Sequence, residues 1–158
     1  MEELKIRTAL CFDDVLLLPK KSTIKSRSEV DLSSNLGKVD FRLPIVSSPM
    51  DTVTGPAMVL KMLSHGGLGI LHRYNTIADQ CRMVKDIREN LEQSANVNIV
   101  KISAAIGTSG DYLSRARHLF DAGARIFCLD VAHGHHLLVH RALQEIRNAF
   151  GESVHLIV

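Results

Sequence analysis

The sequence predicts an α/β fold in which a parallel sheet is assembled from successive strand and helix units. Short apolar runs rich in β-branched residues alternate strictly with segments of helical spacing, and successive runs begin about 25 to 35 residues apart. Glycines follow three of the helical segments, where a left-handed residue commonly ends a helix. The length of 158 residues, with 46% hydrophobic and 23% charged residues, suits one globular core.

The elements follow from these patterns in chain order. Residues 1–42 lack helical periodicity and are predicted to form an N-terminal extension of short strands and loops. The apolar runs predict five strands, at 43–47, 68–71, 100–106, 126–130 and 154–158. The helical spacing predicts four helices, at 56–64, 77–91, 112–122 and 137–150. Pro56 suits a first helical turn, and the glycines that follow helices are Gly66, Gly67, Gly123 and Gly151.

Composition argues against several classes of protein. No apolar run approaches the 18 residues that a membrane span needs, and the charged start of the chain lacks the apolar core of a secretory signal. The three cysteines are far apart and form no C-x-x-C pair, so we expect reduced thiols and a cytoplasmic location. The net charge of +2 comes from interspersed residues, which argues against nucleic-acid binding.

Polar clusters follow the predicted strands, and in parallel α/β folds such loops form the ligand-binding rim. The clusters are 48–52, 72–75, 107–110 and 130–136. Ser48, Asp51 and Thr52 could instead cap the helix that begins near Gly55. Asp130, at the end of a strand of buried character, is either a helix cap or a ligand contact.

A histidine cluster supports a different hypothesis. His133, His135 and His136 are followed by His140, which lies one helical turn after His136. With Asp130, these side chains could bind a metal ion in a metal-dependent hydrolase. The chain contains no H-E-x-x-H motif, and histidines at the start of an amphipathic helix are often solvated.

Five motifs, in order along nearly the whole chain, resemble the IMP dehydrogenase/GMP reductase family. They are FDDVLLLP (12–19), SRSEVDLS (26–33), LPIVSSPMDTVT (43–54), GGLGILHRYNT (66–76) and AGARIFCLDVAHGHH (122–136). The resemblance implies a (β/α)8 TIM barrel that binds a purine nucleotide and a nicotinamide cofactor over its carboxyl rim. It also implies an oligomer, usually a tetramer.

The resemblance assigns roles to residues of two motifs on the rim. Ser48 and Met50 match the positions of the SSPM motif that contact the nucleotide substrate. Asp130 matches the carboxylate that contacts the ribose of the nicotinamide half of the cofactor, with Val131 and Ala132 at adjacent cofactor-side positions.

His72 and Arg73 match a His-Lys pair after the second strand, also on the cofactor side. Because Arg73 stands where the family has lysine, a role that requires lysine itself is in doubt here.

Two activities fit the resemblance. Ser48 and Pro49 favour an IMP dehydrogenase, which converts IMP to XMP with NAD, because reductases generally carry Ala-Asn before the methionine. The stretch PKKSTIKSRSEVDL (19–32) and the motif LDVAHG (129–134) are similar to GMP reductases, which convert GMP to IMP with NADPH. Only about 24 residues separate His72 from Asn96, too few for the regulatory insert of most dehydrogenases. The resemblance also allows a monovalent cation in a full-length enzyme.

Eight strands need at least about 200 residues, so residues 43–158 are expected to form only the N-terminal portion of a barrel. The Gly-rich loop with the nucleophilic cysteine is expected outside this chain, and no catalytic residue is assigned within it. Cys128, two residues before Asp130, is predicted to be buried and inert. We therefore expect the isolated chain to be inactive, and to associate with a copy of itself or with a complementary C-terminal half.

Overall fold

A computed structural model describes residues 8–93 and 102–158. The chain divides into two compact units, Met1–Asp31 and Leu32–Val158. The first unit contains two single 3₁₀ turns, Phe12–Asp14 and Arg27–Glu29. The Oγ atom of Ser26 accepts a hydrogen bond from the Ser28 N–H at 3.3 Å, which caps the second turn.

The described residues of the second unit form an antiparallel hairpin, a parallel sheet and four α-helices. The hairpin strands are β1 (Ser34–Leu36) and β2 (Val39–Phe41). The sheet strands are β3 (Val46–Ser47), β4 (Leu68–Leu71), β5 (Ile102–Ile106), β6 (Ala124–Leu129) and β7 (His155–Ile157). The helices are α1 (Pro56–Ser64), α2 (Ile77–Glu92), α3 (Tyr112–Ala122) and α4 (Leu137–Phe150).

The sheet order is β3-β4-β5-β6-β7, and each neighbouring pair of strands is parallel. Strands therefore follow one another in chain order, each linked to the next by a helix, as in one half of a (β/α)8 barrel. This confirms the predicted α/β half-barrel of five strands.

Some element bounds differ from the predictions. Strand β3 is shorter than predicted because the Ile45 N–H donates to the Leu43 carbonyl at 2.8 Å, which turns the chain before residue 46. Strand β6 begins at Ala124 and ends at Leu129, so Asp130 lies just past the strand. The predicted strand residues Val100 and Lys101 lie outside the described residues.

Helix ends follow the predicted signals. Pro56 is the first residue of α1, and the Thr76 hydroxyl caps α2 by accepting from the Asp79 N–H at 3.1 Å. Gly123 ends α3 with φ of 124°, a conformation that residues with a side chain rarely adopt. None of the helices among residues 8–93 and 102–158 is long and apolar enough to cross a membrane.

The sheet buries apolar side chains on both faces. One face packs against the helices in a core that includes Leu71, Phe127 and Leu129. On the other face, Ile70 and Ile126 pack with the hairpin residues Val39 and Phe41 and with neighbouring sheet residues. The hairpin lies within the predicted extension 1–42, and the division into functional domains at 42/43 stays a prediction.

Candidate functional site

Loops that follow the parallel strands lie at one edge of the sheet, the carboxyl rim. The loop after β3 carries Ser48 and Met50. The Met50 carbonyl accepts hydrogen bonds from the N–H groups of Val53 and Thr54 at 3.0 and 2.9 Å, which closes a tight turn. Ser48 and Met50 are both exposed on this loop, with 51% of the Met50 surface accessible.

Thr54 stabilises this loop through hydrogen bonds of its side chain. Its side chain is fully buried, and its hydroxyl donates to the Ser48 carbonyl oxygen at 2.5 Å and lies 3.0 Å from Oγ of Ser47. The Thr54 carbonyl in turn accepts from the His72 N–H at 3.3 Å, which joins the first two loops of the rim. Sequence reasoning missed Thr54, although it lies inside the motif 43–54.

The loop after β4 places His72 and Arg73 on the rim. His72 is buried, with only 7% of the residue exposed, and its ring stacks on Tyr74 with centroids 6.5 Å apart. Within the part of the chain that the structure describes, His72 Nδ1 has no hydrogen-bond partner. A buried ring nitrogen without a partner is costly in a folded protein and is therefore a candidate ligand contact.

Arg73 reaches across the rim to Asp130, which follows β6. Its Nη2 donates to the Asp130 carbonyl oxygen at 3.1 Å, and its Nε lies 3.4 Å from Oδ2 of the Asp130 carboxylate. The Nε contact is an ion pair without an aligned hydrogen bond, since the same Nε has no hydrogen-bond partner among the described residues. Gly107, after β5, lies beneath Arg73, and a Cβ there would be 3.5 Å from Arg73 Nη1.

The structure thus brings together the predicted residues of the second and fourth loops. The Asp130 and Arg73 side chains are 29% and 35% exposed, so both reach solvent at the rim. Ala132 is exposed beside Asp130, whereas Val131 is half-buried and packs against the core on the helix side of the sheet.

Both helix-cap alternatives are wrong. The N-cap of α1 is Gly55, so Ser48, Asp51 and Thr52 do not cap that helix. The N-cap of α4 is His136, whose Nδ1 accepts from the Leu138 N–H at 3.1 Å, so Asp130 is not a cap either. Asp130 instead contacts Arg73 through both its carbonyl and its carboxylate, and a ligand contact at this residue stays a prediction.

The histidine cluster does not form a metal centre. His136 is used as a helix cap, and His140 Nε2 lies 3.3 Å from His135 Nδ1. Asp130 is engaged by Arg73. Among residues 8–93 and 102–158, no three His, Cys, Asp or Glu side chains converge in a way that could hold a metal ion.

Cys128 is buried in strand β6, as predicted. Burial raises the pKa of its thiol to about 11, and the nearby Asp130 carboxylate acts in the same direction. A thiol with so high a pKa is a poor nucleophile at neutral pH, and no catalytic role is assigned to Cys128.

A sequence model described as "IMP dehydrogenase / GMP reductase domain" matches residues 9–158. The chain belongs to this family. Its members among curated proteins include both activities. The chain is 31% identical to an inosine-5'-monophosphate dehydrogenase of Cryptosporidium parvum, over 94% of this chain and 46% of that protein. It is also 31% identical to a GMP reductase of Vibrio cholerae, over 92% of this chain and 42% of that protein.

A solved structure of the family has the same fold. The crystal structure of inosine 5' monophosphate dehydrogenase from Legionella pneumophila matches with a TM-score of 0.76 and 36% identity, over 91% of this chain and 42% of that chain. This family member, like the two curated relatives above, is more than twice as long as the matched part. The chain therefore spans less than half the length of these relatives.

Proposed function

We propose that this chain supplies the N-terminal part of the nucleotide and cofactor rim of an IMP dehydrogenase. The contact between Arg73 and Asp130 carries the proposal, because it joins two loops of the rim that also carries the exposed Ser48 and Met50. Family membership over residues 9–158 supports the same interpretation. The reaction is the oxidation of IMP to XMP with reduction of NAD, in which water supplies the added oxygen atom.

The loop after β3 binds the purine nucleotide in this proposal. The Ser48 hydroxyl donates to or accepts from the substrate, and the Met50 side chain packs against its apolar surface. Thr54 holds both in place through its bond to the Ser48 carbonyl. The loop is thereby ordered before substrate arrives, which reduces the entropy lost on binding.

The loops after β4 and β6 bind the nicotinamide cofactor. The residues fit such a group: Asp130 offers a part-exposed carboxylate for ribose hydroxyls, and His72 offers an unpaired ring nitrogen. Val131 and Ala132 follow Asp130 in the chain, with Ala132 exposed and Val131 packed against the core, and Arg73 contacts the Asp130 carboxylate. When bound, the nicotinamide supplies the hydride acceptor.

A GMP reductase is the second candidate, with GMP as substrate and NADPH as cofactor. The chain is 31% identical to the Vibrio cholerae GMP reductase over 92% of its length, and equally 31% identical to the Cryptosporidium parvum dehydrogenase over 94% of its length. Overall identity therefore does not separate the two candidates. The dipeptide Ser48-Pro49 favours the dehydrogenase, and with it NAD over NADP. The family resemblance allows a monovalent cation in a full-length enzyme of either activity.

Partners follow from the sheet order. Strands β3 and β7 end the sheet, and their outer edges offer backbone groups to further strands. We propose that further strands pair with these edges, either from another copy of the chain in a homo-oligomer or from a complementary C-terminal half. The free thiols of Cys11, Cys81 and Cys128 suit a cytoplasmic, reducing setting.

The test is an assay of the native gene product that carries this chain. Production of NADH from IMP and NAD supports the dehydrogenase, and consumption of NADPH with GMP supports the reductase. If the protein catalyses neither reaction, both candidate functions are wrong. The chain of residues 1–158 by itself is expected to give no turnover, because the covalent step lacks its cysteine. Turnover by this chain alone would contradict that expectation.

Asp130→Ala tests the cofactor site within the same assay. It should raise KM for the nicotinamide cofactor at least about tenfold, the effect of losing one charge-assisted hydrogen bond, and leave KM for the nucleotide within about twofold. Asp121→Ala, which removes an exposed carboxylate from α3, is the matched control and should change neither value. Equal effects of the two variants would contradict the assignment of Asp130.

A further inference from the structure

A buried polar network lies directly behind the loop that carries His72 and Arg73. Gln80, on the first turn of α2, is fully buried. Its Nε2 donates to the carbonyl oxygens of His72 at 3.0 Å and Ala105 at 2.9 Å. One side chain of α2 therefore ties together the carboxyl ends of β4 and β5.

Arg115 of α3 completes the network. Its Nη1 donates to Gln80 Oε1 at 2.8 Å, and its Nη2 donates to the Asn75 carbonyl at 3.1 Å. The Arg115 side chain is only 12% exposed, with its Nη2 3.9 Å from the Asp111 carboxylate. Because Gln80 Oε1 accepts from Arg115, the amide is oriented so that Nε2 faces the two carbonyls.

The loop 72–75 is thus held from behind by its backbone, at His72 through Gln80 and at Asn75 through Arg115. Asn75 Nδ2 also donates to Met83 Sδ of α2 at 3.4 Å, so this side chain is directed back to the same helix. Nδ1 of His72 and Oδ1 of Asn75 are buried and have no hydrogen-bond partner among the described residues. Arg73, between the two fixed carbonyls, extends to Asp130.

We propose that Gln80 and Arg115 are positioning residues for the cofactor side of the rim. They fix the backbone of residues 72–75 so that His72 and Arg73 are presented in one geometry, and they act through that loop without touching a ligand. This inference rests on the proposed function for its consequence in catalysis, and on the network alone for its consequence in the loop.

Hydrogen exchange of the chain tests the loop directly. Gln80→Met keeps the length of the side chain and removes every polar contact of the amide. The amide hydrogens of residues 72–76 should then exchange at least about tenfold faster, as expected when a loop loses about 1.4 kcal/mol of local stability. Val84→Ala, one turn further along the buried face of α2, is the matched control.

Val84→Ala removes core packing and should raise exchange in α2 and its neighbours without singling out residues 72–76. The same pattern of exchange in the two variants, or unchanged exchange at 72–76 in Gln80→Met, would overturn the proposal. Should Gln80→Met fail to fold, Arg115→Lys gives the same readout, since lysine cannot donate to Gln80 and Asn75 in the fork geometry of arginine.

The catalytic consequence is measured in the native gene product that carries the chain. Gln80→Met should raise KM for the nicotinamide cofactor about tenfold and leave KM for the nucleotide unchanged, whereas Val84→Ala should alter neither. Faster loop exchange with an unchanged cofactor KM would overturn the link to the cofactor. A lack of turnover in the unmodified protein would count against the proposed function, while the exchange result would still decide whether Gln80 positions the loop.

Discussion

Arg73 and Asp130 stand 57 residues apart in the chain and meet on the carboxyl rim, where Arg73 Nη2 donates to the Asp130 carbonyl at 3.1 Å. Two strands and two helices separate them in the chain, and β5 lies between their strands in the sheet. The long Arg73 side chain crosses the loop after β5, next to Gly107, to reach Asp130. Arg73 contacts both the backbone carbonyl and the carboxylate of Asp130, so it restrains the position of the loop as well as that of the charged side chain.

Arg73→Met should lower the free energy of unfolding by about 1 to 2 kcal/mol. Most of this comes from the lost hydrogen bond to the Asp130 carbonyl, because an ion pair between side chains about one-third exposed is worth less than about 1 kcal/mol. Urea unfolding followed by circular dichroism measures the change. Arg82→Met breaks an exposed pair with Asp79 within α2 and should cost less than about 0.5 kcal/mol.

A loss as small for Arg73→Met as for Arg82→Met would show that the rim contact is no stronger than a surface pair. In that case Arg73 would not hold the loop of Asp130 in solution.

Cys128 should resist thiol reagents in the folded chain. With its pKa raised to about 11 by burial, only about one molecule in a thousand carries the thiolate at pH 8. Cys11 is exposed and should react first with an aromatic disulfide reagent, as located by mass spectrometry of the labelled peptides. Labelling of Cys128 as fast as Cys11 without denaturant would contradict the buried position in β6.

Tyr112 should make stability depend on pH at the alkaline end. Its pKa is raised to about 12, chiefly by burial and secondly by the hydrogen bond that its hydroxyl donates to Glu145. The unfolded tyrosine titrates near pH 10, so the contribution of Tyr112 is complete below about pH 10 and is lost as the pH rises towards 12. Tyr112→Phe should remove that part of the pH dependence.

The same pKa can be observed directly. A Tyr74→Phe variant leaves Tyr112 as the sole tyrosine, and its phenolate absorbance can be followed in the near ultraviolet. Glu145→Gln should lower this pKa, because it removes the negative charge that disfavours the phenolate. A midpoint near 10 in the folded Tyr74→Phe variant would contradict the buried contact.

Much of the fold could be predicted from the sequence because strand and helix periods are local properties. The helices 112–122 and 137–150 match the structure residue for residue, since apolar spacing and the glycines after them mark both ends. The pairing of Arg73 with Asp130 could not be predicted in this way, because it depends on the order of the strands in the sheet and on a side chain that reaches across β5.

The missed residues were polar side chains that turned out to be buried. Gln80 looks like a solvated position of an amphipathic helix, yet it lies four residues before Val84 and seven before Ile87, on the buried face. That spacing was the available signal. His136 was considered as a metal ligand because it lies one helical turn before His140, and only the structure shows its Nδ1 accepting from the Leu138 N–H.

The packing of α1 on the sheet leads to a last prediction, at Gly69 in the middle of β4. A Cβ at Gly69 would lie 2.7 Å from the Cα of Val59 in α1, closer than real Cβ atoms approach a backbone. The neighbour is main chain and cannot rotate away, so Gly69→Ala must push α1 outward or distort β4. We expect a loss of about 1 to 3 kcal/mol in the free energy of unfolding, the usual cost of overpacking a core.

Gly55→Ala is the matched control for that change. Gly55 precedes α1, a Cβ added there would have no atom within 4 Å, and its extended backbone is one that alanine adopts without strain. Alanine lowers the entropy of the unfolded chain, which stabilises the folded protein, whereas glycine is slightly preferred at a helix N-cap. The two effects oppose each other, so the net change in the free energy of unfolding should stay within about 0.5 kcal/mol.

The Gly69→Ala change should also reach the loop of Ser48. Because Ser47 Oγ would lie 3.4 Å from a Cβ at Gly69, the displacement should reach Thr54 and loosen that loop. Urea unfolding measures the first effect and hydrogen exchange at residues 48–54 the second, and a Gly69→Ala protein as stable and as protected as Gly55→Ala would refute the close approach of α1 to β4.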